Sequence, residues 1–527
     1  MMIQFAIAAA ALAGSWLLLR HRAGGGALGF VPLDVAPLLL GWAMLDSLAH
    51  RPILSAVAVA AAAAGLALAD AVKRTTLLEP LVFADRAELL EVVRHPRLYL
   101  PFAGPGLVIG GALAALLAIA ALFWLEPAAP YLPPLEPALV IAALLLLPVR
   151  PSILPRIAQA YRACGLRGEP FADMQRFGFI AATVMQATVA RGERQHRRAT
   201  VGPFPISPGP ALDGPVVLVQ AESFFDARHL GPFIPSDLLP AFDRMRHSAL
   251  QAGRLTVPCW GANTVRSEFA VLTGIDSTTL GLDRFNPYER FAQQRLRSIA
   301  WEMKREGYRT ICVHPFDKRF YARDRVMPNL GFDEFRGLET FPPQPPGQYV
   351  SDQGIAEAIA TLIHEEGPRV FVFAMTIANH GPWDQNTEAP SDTLPNAPPH
   401  RVANLPANLL ANLLANLPAN LPEREPLRRY LAGLRGTDAM IATLMSAMPP
   451  NGLLAVYGDH QPSLPAAFAA TDFRDQRTDY AIWQPSGARG PTRDIPAENL
   501  AADLLALRPT RSAAVDTTPT MLAQPMT

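Results

Sequence analysis

Four residues far apart in the chain, Glu222, Thr264, Asp459 and His460, have the side chains needed to hold a cation beside a hydroxyl. In "YGDHQP" (457–462), adjacent Asp459 and His460 close an apolar run, so a carboxylate oxygen and an imidazole nitrogen can reach one ion. A second carboxylate, Glu222, closes "PVVLVQAES" (215–223). With the Thr264 hydroxyl in "WGANTVRSEF" (260–269) they form an oxygen–nitrogen set suited to manganese, zinc or magnesium. A hydroxyl beside such an ion gives up its proton more readily and becomes a nucleophile. Read singly, each has a structural use: Glu222 can cap a helix, and Thr264 can be an N-cap with Glu268 nearby. Their conjunction at strand ends and in a loop points to a site.

Three more residues could serve an anionic substrate there. Arg323 presents a planar fork suited to phosphate or hydroxyl oxygens, or else pairs with Asp324 at the surface. His380, followed by Gly381 and Pro382, can protonate a leaving group, donate a hydrogen bond, or be a satisfied loop histidine. His314, before Pro315, is either a ligand-facing group or a strand terminus.

The elements that must position these residues are legible from about 214 onward. The runs 215–223, 309–315, 369–380 and 452–461 are apolar, β-branched or aromatic, and each ends in polar residues. Helical stretches such as 296–307 and 427–448 lie between them. Apolar strands alternating with helices predict an α/β domain with a largely parallel central sheet, whose site lies at the carboxyl ends of the strands. Glu222, His314, His380, Asp459 and His460 stand at those ends.

The front of the chain is different. Uncharged or nearly uncharged runs occupy 2–19, 26–45, 53–72, 107–125 and 137–149. About 20 apolar residues span a bilayer, so the first, third and fourth qualify outright. The second carries Asp34, and the fifth is short enough to be a brief span or a re-entrant segment. The succession of runs argues against a cleaved leader. An N-terminal α-helical transmembrane bundle of about five helices is expected over 1–150. Arg20, Arg22 and the 73–97 loop put two basic loops on one side, which charge counting makes cytoplasmic. Residues 403–422, "ANLPANLLANLLANLPANLP", read as an exposed repeat insertion without chemistry.

Bulk composition narrows the class. The chain has 527 residues, half of them hydrophobic and 17% charged, which fits a membrane-attached protein of more than one part. A formal net charge of zero gives no sign of a nucleic-acid partner. Cys164, Cys259 and Cys312 are too scattered for a disulfide framework or a metal pair and read as free thiols.

In this order, "VQAESF", "NTVRSEF", "VHPFDKRFYARDRVMPNLGFDEF", "TIANHGPW" and "YGDHQP" resemble the lipoteichoic acid synthase-type phosphoglycerol transferases. These belong to the sulfatase branch of the alkaline phosphatase superfamily. The resemblance implies a juxtamembrane helical linker over 151–213, a sulfatase-like domain over 214–487 and a C-terminal tail over 488–527. It implies that Thr264 is the nucleophile that takes up glycerol phosphate as a phosphothreonine. Glu222, Asp459 and His460 then complete, with Thr264, the ligands of a divalent metal, Mn2+ before Zn2+ or Mg2+. His314, Arg323 and His380 hold the phosphoglycerol group, and Tyr321 stands where the family commonly has tryptophan. Val265 and Arg266 depart from the small and acidic residues usual after the nucleophile, which bears on the acceptor.

The implied partners are a phosphatidylglycerol-like lipid donor, a cell-envelope glycan acceptor and the bilayer itself. The implied location is the inner (cytoplasmic) membrane, multi-pass, with the catalytic domain extracytoplasmic. Three competing functions remain: a phosphoethanolamine transferase, a sulfatase-type hydrolase, or a catalytically silent membrane-tethered protein of polysaccharide assembly. Formylglycine sulfatases need a C/S-x-P-x-R setting, which Cys259 lacks.

Overall fold

The computed structural model describes residues 2–129, 142, 151–197, 214–345, 347–383 and 417–508. The expected fifth apolar run (137–149) and residues 403–416 of the repeat lie outside the described residues, apart from Ala142.

Among the described residues, four helices are long and apolar enough to cross a membrane: α1 (Met2–Arg22), α2 (Val31–Ala49), α3 (Pro52–Thr76) and α6 (Pro105–Leu125). Two short amphipathic helices, α4 (Arg86–Arg94) and α5 (Pro96–Ala103), lie between α3 and α6. Ion pairs and caps fix the bundle's two ends. At one, Glu126 accepts from Ile53 N (2.9 Å) and Leu54 N (2.8 Å), satisfying the free amides that begin α3. At the other, Asp70 binds both Arg22 (3.1 Å) and Arg74 (2.7 Å). Asp34, the charge that weakens the second apolar run, is buried and accepts from Ala181 N at 2.8 Å.

That amide belongs to α9 (Phe179–Arg197), which packs with α7 (Leu154–Ala163) and α8 (Pro170–Phe177) on the Arg22–Arg74 end of the bundle. The catalytic-type domain sits at the same end.

From Val216 an eight-stranded sheet forms in the order β4-β3-β5-β1-β6-β7-β2-β8. The strands are β1 (Val216–Ala221), β2 (Gln251–Thr256), β3 (Arg309–Val313), β4 (Glu334–Arg336), β5 (Val370–Met375), β6 (Leu453–Gly458), β7 (Thr478–Trp483) and β8 (Ile495–Pro496). Only β7 runs against the others. The four apolar runs read from the sequence are the adjacent inner strands β3, β5, β1 and β6. They lack an inside/outside alternation because both faces are covered. Val217, Val219, Val372 and Val456 face a core shared with α12 (Asp352–Glu366) and α13 (Arg424–Ala447). Leu218, Phe371, Phe373 and Tyr457 face a second core containing α10 (Thr264–Thr273).

The register does the positioning. Ala221 of β1 pairs with Gly458 of β6, so the next residues, Glu222 and Asp459, emerge side by side. Gly458 is required there: a Cβ would lie 1.7 Å from the Phe224 carbonyl oxygen.

The expected tail from 488 differs from the structure. β8 pairs with β2, and α14 (Leu500–Ala506) buries Leu500, Ala501 and Leu504 against the α10 core. Arg508 closes this segment on Glu306 at 2.9 Å. Apolar residues at 500, 501 and 504 are helix-face spacing, too short a signal to stand out beside a polar C-terminus. Each buried leucine contributes roughly 1.5–3 kcal/mol. Truncation after 487 is therefore expected to give aggregated protein on size-exclusion of the detergent extract, whereas truncation after 508 should leave the peak monodisperse.

Candidate active site

Glu222, Asp459 and His460 converge in a buried group whose ligand atoms lie within 4.8 Å of one another. His460 Nε2 is 3.4 Å from Asp459 Oδ2, 3.5 Å from Glu222 Oε1 and 3.4 Å from the Thr264 hydroxyl. Each carboxylate is fixed by donors from the neighbouring loop. Ser223 Oγ donates to Glu222 Oε1 (2.8 Å), and the amides of Ser223 (2.8 Å) and His460 (2.9 Å) donate to Asp459 Oδ1. Ser223 holds a left-handed backbone (φ 55°), which turns its amide inward, and Tyr430 OH pins its carbonyl at 2.7 Å.

Asp459 Oδ2 is buried and has no hydrogen-bond partner. A buried anionic oxygen without a partner is costly, and a cation is the group that would relieve it. Burial and the neighbouring Glu222 charge push the Asp459 carboxyl up to about 7. Burial opposes protonation of His460, but the Asp459 and Glu222 charges outweigh it and raise that imidazole above its ordinary value. His460 Nδ1 faces the Gln461 carbonyl at 2.9 Å, so Nδ1 keeps its proton and Nε2, the nitrogen turned into the group, is the one that would release its proton to bind a cation. Two carboxylates and an imidazole of this tautomer fit a divalent cation.

Thr264 is the first residue of α10, not its cap. Asn263 takes the cap position with a left-handed backbone (φ 66°), and its side chain makes no capping bond. Glu268 does not reach back to complete a capping box. Instead, three consecutive polar residues of this buried helix tie it to three elements. Ser267 Oγ donates to the Asp459 carbonyl (2.6 Å). Glu268 accepts from Arg323 (2.8 Å) and from Tyr288 OH (2.6 Å). Arg266 forms a fork with Glu79 beyond the end of α3 (2.8 and 3.3 Å) and donates to the Phe285 carbonyl (3.1 Å).

Glu79 also accepts from Lys73 (3.1 Å), which in turn reaches Asp85 (2.7 Å). Although burial opposes it, the Arg266 and Lys73 charges hold the Glu79 carboxyl down at about 2. The membrane part meets the nucleophile-type loop at a second point. Gly261, at φ +75°, leaves only 2.8 Å between a would-be Cβ and the Thr76 carbonyl oxygen, which also accepts from Ser463 Oγ.

The remaining predicted residues face one cavity of about 380 Å³ that includes Glu222 and Thr264 on its floor. Arg323 is buried against Glu268 rather than paired with Asp324, and its Nη1 has no hydrogen-bond partner. His314 Nδ1 faces the Met375 carbonyl at 3.3 Å, and burial, then the Arg323 charge, hold its imidazole well below the usual range. It is neutral, with Nε2 free to accept. His380 Nδ1 faces the Gly381 carbonyl at 2.6 Å, which leaves Nε2 as the nitrogen available for proton transfer. Tyr321 lines the same cavity at φ 56°, with the Arg323 guanidinium 5.3 Å from its ring centre. Sequence reasoning did not single out Ser223, Lys73 or Glu79. Ser223 lies inside "VQAESF", whereas Lys73 and Glu79 belong to the 73–97 loop, read only for its basic charge. The thiols are free, as expected, and burial pushes the Cys259 thiol up to about 12.

A family model for sulfatases matches residues 215–524, more than half of the chain, so the chain belongs to the sulfatase family. The capsular polysaccharide biosynthesis protein RkpI of Rhizobium meliloti (strain 1021) is 35% identical over 282 residues, 51% of this chain and 45% of that one. A second relative from that strain, with a provisional name in cyclic beta-1,2-glucan modification, is 25% identical over 319 residues, 56% of this chain and 46% of its own. The chain thus spans a little less than half the length of these curated relatives. The Streptococcus pyogenes phosphoglycerol transferase GacH in complex with sn-glycerol-1-phosphate aligns with a TM-score of 0.44 at 20% identity, covering 61% of this chain and 80% of that one.

Removing one member of a buried ion pair typically costs about 3–5 kcal/mol. Arg266→Met and Glu79→Leu should each destabilise the full chain, and the double variant Arg266→Met/Glu79→Leu should recover part of the loss. Thermal unfolding should then give a coupling above about 1 kcal/mol; additive losses would show that the pair is not a unit.

The raised Asp459 and His460 groups act with one sign: both favour the proton-bound fold. The Asp459 contribution is present below its unfolded value near 4 and is lost as pH rises through about 7, and that of His460 is present below about 6.5 and is lost as pH rises through its raised value. Chelator-treated protein should melt lower at pH 8 than at pH 5, and added Mn2+ should raise the midpoint most at pH 8. Equal Mn2+ effects at both values would contradict the shared site.

Proposed function

Starting from membership of the sulfatase family, we propose that this chain is a membrane-anchored, divalent-metal-dependent phosphoglycerol transferase. It moves glycerol phosphate from a phosphatidylglycerol-like lipid to a cell-envelope glycan through a phosphothreonine on Thr264. The observation that carries this reading is the Thr264 hydroxyl at the start of α10, 3.4 Å from His460 Nε2 and facing a cavity shared with a membrane helix.

Glu222, Asp459 and His460, with the Thr264 oxygen, would hold the metal; mixed oxygen and imidazole donors suit Mn2+, with Zn2+ or Mg2+ as alternatives. When bound, the cation supplies positive charge that favours ionisation of the hydroxyl and offsets charge on the phosphoryl oxygens. The helix start adds its free amides and positive end at the same place. Thr264 Oγ1 attacks phosphorus as the bond to the diacylglycerol oxygen breaks. That oxygen takes a proton from His380 Nε2. An acceptor hydroxyl then attacks the phosphothreonine, gives its proton to His380 and frees Thr264.

His314 and Arg323 favour glycerol over ethanolamine as the headgroup. A neutral Nε2 acceptor beside a guanidinium donor suits hydroxyls, and the guanidinium disfavours an ammonium group. A formylglycine-type sulfatase is disfavoured because Cys259 lacks the C/S-x-P-x-R setting that such enzymes need. The two Rhizobium relatives carry names concerned with envelope glycans, which supports a glycan acceptor. Such substrates put the catalytic domain outside the cytoplasmic membrane and the N-terminal end of α1 on the cytoplasmic side.

Incubation of the purified full chain with headgroup-labelled phosphatidylglycerol should leave label on Thr264, found by peptide mass spectrometry. Thr264→Ala should lose the adduct and reduce transfer by about 10³-fold or more. Full turnover in Thr264→Ala would overturn the nucleophile, and preferential use of labelled phosphatidylethanolamine would overturn the headgroup.

A further inference from the structure

The cavity above Thr264 does not end at the catalytic domain. Its upper wall is one face of the membrane helix α3, formed by Gly65, Leu68, Ala69, Val72, Lys73 and Thr76. The spacing 65, 68, 69, 72, 73, 76 is that of a single helical stripe. The stripe turns apolar side chains toward an enclosed space, where a membrane helix would ordinarily meet lipid or another helix. Opposite it stand Leu89 and Val92 of α4, Leu98 and Phe102 of α5, and Val108 in the first turn of α6. Next to Val108, Leu107 and Ile109 are outward-facing and exposed, 63% and 54%, on a helix whose apolar window is unburied. The apolar end of the cavity therefore reaches the surface that α6 presents to the bilayer.

Scale and chemistry agree. About 380 Å³ lies in the range of specific small-molecule sites and far exceeds the volume of one or two waters. From Gly65 to Thr76 the stripe runs about 16 Å at 1.5 Å per residue, close to half the ~30 Å apolar thickness of a bilayer. The two ends of the cavity differ in kind. Glu222, Thr264, His314, Arg323 and His380 make the polar end, and the α3, α4 and α5 side chains make the apolar one. A molecule filling both must carry a polar head and an apolar tail.

We propose that the α3–α4–α5 chamber is the acyl-chain subsite of a glycerophospholipid, held so that its headgroup phosphodiester lies at Thr264. The chemistry at the polar end rests on the phosphoglycerol-transfer reading; occupancy of the apolar end does not. The lipid enters from the outer leaflet between α5 and α6 and keeps part of its glyceride in the chamber during transfer. The enzyme then distinguishes donors by their apolar part and not only by headgroup.

A chamber-filling substitution tests this without touching the catalytic residues. A Cβ added at Gly65 meets nothing within 4 Å, so Gly65→Leu can be accommodated on α3 while its side chain occupies the stripe. In detergent-purified full chain, native mass spectrometry should show about one co-purified phospholipid on the parent protein and none on Gly65→Leu. With long-chain phosphatidylglycerol as donor, kcat/KM should fall by at least about tenfold in Gly65→Leu. With bis-p-nitrophenyl phosphate, a soluble phosphodiester lacking acyl chains, it should stay within about twofold. Ala69→Phe serves as a second variant should Gly65→Leu be poorly expressed. Retention of lipid by both variants would overturn the chamber, as would equal losses on the two donors. Lipid bound by the parent and lost from the variant, with no transfer from any donor, would uphold the chamber and refute the transferase reading.

Discussion

Two carboxylates brought together out of water are the constraint around which the catalytic domain is arranged. Strand register makes the encounter unavoidable: with Ala221 opposite Gly458, Glu222 and Asp459 leave adjacent strands at one level. The surroundings then restrict what can compensate them. Ser223 and His460 amides satisfy one Asp459 oxygen, leaving Oδ2 buried without a hydrogen bond, with His460 Nε2 turned toward it at 3.4 Å. The left-handed Ser223, the Tyr430 bond to its carbonyl and the glycine at 458 all hold this arrangement of charge in place. In physical terms the fold gathers negative charge that a divalent cation would offset, at a point where a hydroxyl stands 3.4 Å from the His460 ring.

Much of this was legible because the relevant signals are local. The inner strands are apolar runs of five or six residues with a chemical group at the end of each, and a parallel sheet collects such ends on one edge. What sequence could not disclose were partners separated by long stretches of chain. Arg323 looks as able to pair with Asp324 as with Glu268, 55 residues away, until the tertiary fold buries it. Arg266 registers as a departure from a family pattern. Its meaning depends on Glu79, 187 residues earlier, in a segment read only for its basic charge. The C-terminal strand and helix were missed for a related reason: a two-residue strand and a seven-residue helix carry too little periodicity to be seen before their packing is known.

The polar residues of α10 show how these long-range contacts serve the site. Arg266, Ser267 and Glu268 are consecutive, so on a helix they point in three directions, and each meets a different part of the molecule. One reaches the end of a membrane helix, one the loop carrying Asp459, and one the arginine whose free nitrogen faces the cavity. Thr264 precedes them on a helix that is buried along its length. The position of its hydroxyl is thus determined jointly by the sheet, the membrane bundle and the buried Arg323. A substitution in any of the three should be felt at the same oxygen.

This coupling also changes the reading of the basic residues near the membrane. Arg22 and Arg74 neutralise Asp70, while Lys73 lies between Glu79 and Asp85, at the end of the bundle that bears the catalytic domain. Their presence follows from the need to compensate buried acids where α3 meets α10 and the loops beside it. Their number therefore has a structural cause independent of membrane sidedness, and counting them from sequence conflates the two. The same junction gives α3 two roles: its Thr76 carbonyl receives the loop before Thr264, and its inner stripe walls the cavity above it. A membrane anchor that only tethered the domain would need neither. Because α3 both holds the loop before Thr264 and walls the cavity above it, the membrane bundle is part of the candidate site.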